Sequence, residues 1–317
     1  MKILEYDNVD PFAVLDLNLL CFRFALTPEV AKKIRRLDER AFPFLAIYAV
    51  DNGRVVGQTG VFRLPMMTSE GPEDVGGIWA MCTHPAYSRQ GIGSLLISEA
   101  HNRMREARLR FAALGTSPHW VAHPFYLKHG YQNVTHFAAA LAPRALIENC
   151  GNAFTVTKAT LEALPEADAL FRRVALGKTG FARRHEDFLP KMVEIGDEIR
   201  LEDLRLLYQG NDLIGYAAVQ TSDSLFKVDD ILLLDEVDIV AAAAALLSES
   251  DAPFVQVTMN RYSSHVARLQ QAGFQVTATT LDVVMLSSLE SNLDTPAMSP
   301  HFGLGTSQFM VSWMDVT

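Results

Sequence analysis

The stretch Thr83-His84-Pro85-Ala86-Tyr87-Ser88-Arg89-Gln90-Gly91-Ile92-Gly93-Ser94 has the residue types of an anion cradle set between a strand and an amphipathic helix. The first amides of a helix have no intrahelical acceptor and share a partial positive charge, so a turn leading into them suits a phosphate or pyrophosphate. Gly91 and Gly93 carry no Cβ to hold an anion off the backbone, Pro85 ends the strand, and Arg89 adds a mobile positive charge. Glycine pairs also occur in tight turns that hold nothing, and that reading stands beside the first. Two other phosphate motifs are excluded. The chain has no Gly-x-x-x-x-Gly-Lys-Ser/Thr, and Leu96 stands where a dinucleotide fingerprint needs its third glycine.

Other reactive side chains form weaker patterns. His119 and His123 have a ligand-like spacing if helical, but Pro118 and Pro124 flank them and no His-Glu-x-x-His occurs, so no metal is expected. Cys82 falls in a strand with no identifiable base beside it, which argues against a nucleophile. Cys21, Cys82 and Cys150 are odd in number and far apart, and read as reduced thiols. The formal charge of −9 and the lack of a Lys/Arg cluster beyond short mixed runs exclude nucleic acid as a partner. An acidic surface favours cationic substrates. No apolar run reaches membrane-spanning length, and the start Met1-Lys2-Ile3-Leu4-Glu5 does not read as a signal peptide. A soluble, cytoplasmic protein is the expectation.

The elements that must position these residues follow from local pattern. Lys2 to Tyr6 reads as an edge strand, followed by helices near Phe12 to Cys21 and Pro28 to Leu37. Strands Phe44 to Val50 and Arg54 to Leu64 join through Asp51-Asn52-Gly53, a tight hairpin signal. A polar loop, Thr68 to Asp74, leads to the strand Val75 to Thr83 and then to a helix from Gly91 to Arg108. Ile92, Leu95, Leu96, Ala100, Met104 and Ala107 share one face of that helix. A strand Phe111 to Gly115, a short helix around His123 to His129 and a strand pair beginning at Tyr131 complete the half.

At 317 residues, two domains of about 150 each are expected. Gly210-Asn211-Asp212-Leu213-Ile214-Gly215 matches the Asp51-to-Gly57 turn, and Leu269-Gln270-Gln271-Ala272-Gly273-Phe274-Gln275 matches Tyr126-to-Gln132 in the same order, which suggests a duplication. Recurring hairpins and helix-ending glycines are the plainer account of the same matches.

The stretch His84 to Gly93 resembles the acetyl-CoA pyrophosphate loop of the GNAT N-acetyltransferases, and Phe125-Tyr126-Leu127-Lys128-His129-Gly130-Tyr131 resembles that family's second motif. The resemblance implies an α/β fold of α+β type on a mixed sheet: a working domain over residues 1–145 and a degenerate GNAT-like copy, with helical connector and tail, over 146–317. It implies a split between the strands Val75 to Thr83 and Phe111 to Gly115. Backbone groups of Met81, Cys82 and Thr83 would meet the pantetheine arm of acetyl-CoA. Amides of Ser88, Arg89, Gln90, Gly91, Ile92, Gly93 and Ser94 would meet its pyrophosphate. Ser88 stands where Gln or Arg is usual, and His119 where the family often has Asn to contact the cofactor.

Tyr126 takes the position of the family's general acid near the CoA sulfur. With reference pKa values near 10 for a phenol and 8.5 for a thiol, full proton transfer is uphill by roughly 2 kcal/mol, so stabilisation by hydrogen bonding is expected. The attacking amine must be neutral, and Glu70, Glu73, Asp74, His84, His119, His123 or a water relay are the candidate bases. The main-chain N–H near Met81 or Cys82 is the implied oxyanion donor.

In the second half, Leu233-Leu234-Asp235-Glu236-Val237-Asp238 replaces the glycine loop before the helix Ile239 to Leu247, and Leu269 replaces Tyr126. Three carboxylates would repel a pyrophosphate. This copy is expected to cover the first domain, shape its acceptor cleft or build a homodimer. The tandem arrangement resembles the Eis-type acetyltransferases, whose acceptors include aminoglycoside and lysine amines. In that subfamily the chain terminus can enter the site, so the Thr317 carboxylate is another candidate base, and Gln308 to Thr317 a candidate remnant strand. The activity implied is acetyl transfer to a primary amine of a small molecule or peptide; the alternative is a non-catalytic acyl-CoA-binding regulatory module.

Overall fold

The computed structural model describes residues 1–22, 25–150, 153–196, 199–277, 282–290 and 295–316. The first half runs β1 (Lys2–Glu5), α1 (Pro11–Phe22), α2 (Pro28–Leu37), β2 (Ala41–Asp51), β3 (Arg54–Thr68), β4 (Gly71–Thr83), α3 (Ile92–Glu106), β5 (Phe111–Thr116), α4 (Ala122–Lys128), β6 (Gln132–Pro143) and α5 (Arg144–Ile147). The second runs β7 (Thr155–Lys158), α6 (Leu164–Val174), β8 (Thr179–Gly180), α7 (Phe188–Ile195), β9 (Leu204–Gln209), β10 (Asp212–Thr221), β11 (Phe226–Leu233), α8 (Ile239–Leu247), β12 (Phe254–Asn260), α9 (Ser264–Gln271), β13 (Gln275–Thr277), β14 (Val283–Ser288), α10 (Thr295–Phe302) and β15 (Phe309–Met310). No helix among the described residues is long and apolar enough to cross a membrane.

Each half builds an antiparallel meander first. Asn52 and Gly53, both at positive φ, turn β2 into β3, and a second two-residue turn joins β9 to β10. The β3–β4 hairpin is longer than the sequence pattern suggests, since Pro65 already faces Asp74 and Thr68 faces Gly71. The Thr68 hydroxyl donates to the Gly71 carbonyl and accepts from the Glu70 N–H, so the polar segment closes into a tight turn.

The expected strand pair at Tyr131 is a single strand whose partners come from far along the chain. The order across the sheet is β1-β2-β3-β4-β5-β14-β6-β12-β11-β10-β9-β7. Gln132 to His136 of β6 pairs with β14, while Phe137 to Pro143 pairs with β12. In return β13 lies against β6 in the second half's sheet, and β14 pairs with β5 in the first. Each half therefore lends a strand to the other, and one sheet runs through both. The expected terminal strand is reduced to β15, two residues paired with β8.

Helices cover the sheet on both faces. α3 buries Ile92, Leu96, Ile97, Ala100 and Met104 on one face of the first half, with Tyr126 and Tyr131 in the same core. On the opposite face α1 and α2 bury Val14, Leu17, Ala31 and Ile34, in a core that continues into α6, α7 and the C-terminal segment. α8 and α9 cover the second half alone.

Candidate active site

The parallel pair β4–β5 holds only at Gly76–Ala112 and Gly77–Ala113, after which the strands part. Met81, Cys82 and Thr83 are half-buried at the free end of β4. Just before them the strand carries an extra residue: Gln58 faces Cys82 and Gly60 faces Trp79, so Thr59 alone opposes Ala80 and Met81. Ala80 sits at φ 46°, left-handed for a residue with a Cβ, which costs roughly 1–2 kcal/mol.

Beyond Thr83 the chain makes a single turn of 3₁₀ helix, Pro85 to Tyr87. His84 caps it, Nδ1 accepting from the Ala86 N–H at 3.1 Å, and Ser88 closes it by donating its N–H to Pro85. Ser88, Arg89, Gln90 and Gly91 are exposed. Arg89 and Gly91 both take positive φ, 60° and 79°, so the backbone curls into the start of α3. Gly91 is the N-cap of α3 and no side chain caps the helix, so its leading amides are left for a ligand. Ile92 points into the core, whereas Gly93 lies where an added Cβ would come 3.4 Å from the Phe125 ring, which ties the loop to α4. Ser94 Oγ and His129 Nε2 are 3.1 Å apart, a second tie between the same elements.

Tyr126 is 7 % exposed and packs its ring edge-on against Phe125 and Tyr131, at 5.5 and 5.8 Å between centroids. Burial, with a smaller push from the neighbouring Cys82 thiol, raises its phenol to about 12. Such a phenol keeps its proton throughout the neutral range, and transfer to a thiol near 8.5 is uphill by about 5 kcal/mol, so it is fit to donate a hydrogen bond rather than the proton itself. The hydrogen bond with Cys21, and then burial, push the Cys82 thiol far up, which disfavours the thiolate a nucleophile needs.

Most candidate bases are elsewhere. Glu73 and Asp74 sit at the opposite end of β4, about 30 Å along the strand from Cys82. Glu73 holds Arg110 at 2.8 Å and His301 at 2.7 Å; although burial raises its carboxyl, those two partners hold it below the ordinary range. Asp74 pairs with Arg183 and Arg63. Glu70 ends the same hairpin. His123 Nε2 is 2.9 Å from Asn133 Oδ1. The described residues hold no group of three or more His, Cys, Asp or Glu that could bind a metal ion. Thr317 lies outside the described residues.

His119, exposed at the turn after β5, lines a cavity of about 650 Å³ that is walled mainly by the second half. There β11 and β12 repeat the first half's geometry, pairing over Phe226–Val228 and Val255–Val257 and then parting. Asp203, Asp229, Asp230 and Asp282 face this space together with Arg200 and Lys227. Arg200 pairs with Asp203, and Lys227 with Asp229, which leaves the lining acidic. Trp313, edge-on to Phe137, forms another part of the wall. Sequence reasoning missed this cavity, the bulge at Ala80 and the polar side chains beneath it.

Residues 12–131 match the model of the acetyltransferase (GNAT) family. No curated protein matches the chain. Among solved structures, a GCN5-related N-acetyltransferase from Anabaena variabilis is similar with a TM-score of 0.69 at 16 % identity, over 91 % of this chain and 73 % of that one. One from Kribbella flavida gives 0.65 at 17 %, over 91 % and 72 %. Eis1 from Mycobacterium abscessus gives 0.60 at 14 %, over 91 % and 74 %. At such identities the likeness is one of fold. Residues 12–131 thus match the acetyltransferase (GNAT) family, and along nine-tenths of its length the chain has the fold of these acetyltransferase structures.

Proposed function

We propose that the chain transfers an acetyl group from acetyl-CoA to a primary amine of a small molecule or peptide, both bound together, with the site in residues 1–145 and residues 146–317 as a degenerate copy. The observation that carries this reading is a conjunction at one end of β4: parted strands, an uncapped helix N-terminus, and Tyr126 buried in the core against which Met81 packs. The groups present fit the cosubstrate. The amides from Ser88 to Ser94 would hold its pyrophosphate, and the free edge of Met81, Cys82 and Thr83 its pantetheine arm. Acetyl-CoA supplies an activated acyl group. Tyr126 would donate a hydrogen bond to the departing sulfur, and the Met81 N–H to the acyl carbonyl oxygen.

The acidic cavity supports a cationic acceptor, since carboxylates in a recess favour an ammonium group over an anion. His119 lines that cavity, and we assign it to the acceptor side rather than to CoA. His119, His84, His123 or a water relay is left to deprotonate the amine, because the carboxylates of the β3–β4 turn are at the far end of the strand.

Calorimetric titration with acetyl-CoA tests the reading. Saturable binding is expected, weakened at least ~10-fold in Gly91→Trp, whose indole would stand where the pyrophosphate belongs. Amines screened with Tyr126→Phe beside the wild type should show turnover down about 100-fold in the variant with acetyl-CoA affinity kept. Acetyl-CoA binding with no turnover of any amine by the wild type would favour a non-catalytic acyl-CoA-binding module, and turnover unchanged in the variant would remove Tyr126 from the reaction. No binding at millimolar acetyl-CoA would overturn both.

A further inference from the structure

A pair of uncharged side chains lies beneath the bulge of β4, each buried completely or nearly so. Asn18 on α1 is 0 % exposed and Gln58 on β3 is 1 % exposed. Their amides bond reciprocally: Asn18 Nδ2 donates to Gln58 Oε1 at 2.9 Å, and Gln58 Nε2 donates to Asn18 Oδ1 at 2.9 Å. Each amide has one more acceptor. Asn18 Nδ2 also donates to the Val14 carbonyl at 2.8 Å, and Gln58 Nε2 to the Ala80 carbonyl at 3.0 Å. All four donor hydrogens are therefore used, and the last falls on the residue whose backbone is strained. Burying two amides costs free energy unless every group is paired, so an apolar pair would be the simpler solution if this were only core.

The geometry points to Asn18 and Gln58 as positioning residues of the acyl-transfer site, holding the Ala80–Met81 peptide so that the Met81 N–H faces the acyl oxygen. This rests on the acyl-transfer reading above. A trans peptide carries its C=O and its N–H on opposite sides. Holding the Ala80 carbonyl toward α1 therefore turns the Met81 N–H away from α1, to the side of β4 where Met81 packs with α3 and α4. Without that anchor, a bulge residue at φ 46° has every reason to relax into the ordinary β region, and the N–H would swing with it. The same tie makes α1 part of the site's frame. Val14, Leu17, Asn18 and Cys21 follow helical spacing on the face that meets β3 and β4, and Cys21 Sγ lies 3.9 Å from the Thr83 carbonyl.

The test is a set of near-isosteric variants, Gln58→Met, Asn18→Leu and the double change, assayed with spermidine, a lysine peptide and an aminoglycoside. Acetyl-CoA affinity is read by calorimetry and folding by circular dichroism. Gln58→Met should lower kcat about 10- to 100-fold while the acetyl-CoA Kd stays within about twofold, the signature of a misplaced transition-state donor. Asn18→Leu should lower kcat less, because Gln58 keeps its own bond to Ala80. The double variant removes both amides together, leaves neither orphaned, and should fold where a single variant does not. A folded Gln58→Met or double variant with wild-type kcat overturns the assignment, and so does a loss of acetyl-CoA affinity in step with kcat. Failure of the wild type to bind acetyl-CoA would instead remove the underlying reading, and is seen before any variant is made.

Discussion

Both halves part a parallel strand pair after two or three residues and start a helix near the opening, yet only the first leaves that helix end empty. Gly91 caps α3 with no side chain. At the equivalent place Asp238 caps α8, its carboxylate accepting from the Val240 N–H at 2.9 Å and taking Arg268 at 2.7 Å. Burial raises that carboxyl, but Arg268 and the amides of Val240 and Ala241 hold it below its ordinary range. In the second half a carboxylate of the chain itself thus occupies the helix end. The helix ends downstream remain alike: Tyr131 donates its N–H to Tyr126, and Phe274 to Leu269, at 3.1 and 3.0 Å. What separates the two halves is chemistry at a few positions on a shared backbone. A helix N-terminus is a ligand site only where the chain leaves its amides unclaimed.

The largest effect expected from dividing the halves comes at Arg184. It bonds Asp315 through Nε at 2.7 Å, reaches the Tyr216 hydroxyl at 2.7 Å, and lies 3.9 Å over the Phe171 ring. Both ion partners are almost fully buried, so this residue clamps the C-terminal segment under the second half. Arg184→Ala leaves Asp315 buried without its cation and should cost about 3–5 kcal/mol, read by urea unfolding. Acetyl-CoA affinity should be unchanged if the second half only frames the first. A rise in Kd of ~10-fold or more would show that the two halves bind as one unit.

The parts that were legible in the sequence are those with a local signature. The glycine turn, the helix after it and the acidic replacement before α8 each declare themselves within a dozen residues. The loan of strands between halves does not, because the pairing of β6 with β12 and β14 joins segments more than a hundred residues apart, and no period of two or 3.6 encodes a partner. The bulge is silent for a different reason: Ala80 is not a residue type that advertises positive φ. Asn18 and Gln58 are each a polar residue in a mostly apolar or buried element, and only their meeting, forty positions apart, makes them a unit. The acidic cavity is equally nonlocal, drawing its carboxylates from several elements.

A smaller effect is expected from Asp230, which sits between the cavity and the clamped tail. Its carboxylate accepts from the Ser312 hydroxyl and the Met314 N–H, and burial, with Asp315 adding to it, raises the group to about 6. The unfolded chain binds this proton only below about pH 4, so the folded state holds an extra proton between pH 4 and 6. Its contribution to stability is therefore full below pH 4 and lost as pH rises through 6. Asp230→Asn keeps an acceptor oxygen without the charge. Relative to the wild type the variant should gain about 2 kcal/mol between pH 4 and pH 7, measured by unfolding at each pH. A parallel pair of pH profiles would mean that solvent in the cavity already screens the carboxylate.

The smallest effect sharpens the comparison most directly. Asp238→Ala removes the cap of α8 and its bond to Arg268, and should cost about 1 kcal/mol of stability. It also empties the helix end that the second half has kept filled. Asp235 and Glu236 still flank it, and no glycine lets a phosphate reach the backbone, so titration with pyrophosphate in a Gly91→Trp background should show no new binding. If binding appears, one carboxylate is all that separates a closed helix end from an open one. If it does not, the second half has lost both the vacancy and the approach to it, and restoring a site there would require a glycine turn as well as an uncapped helix.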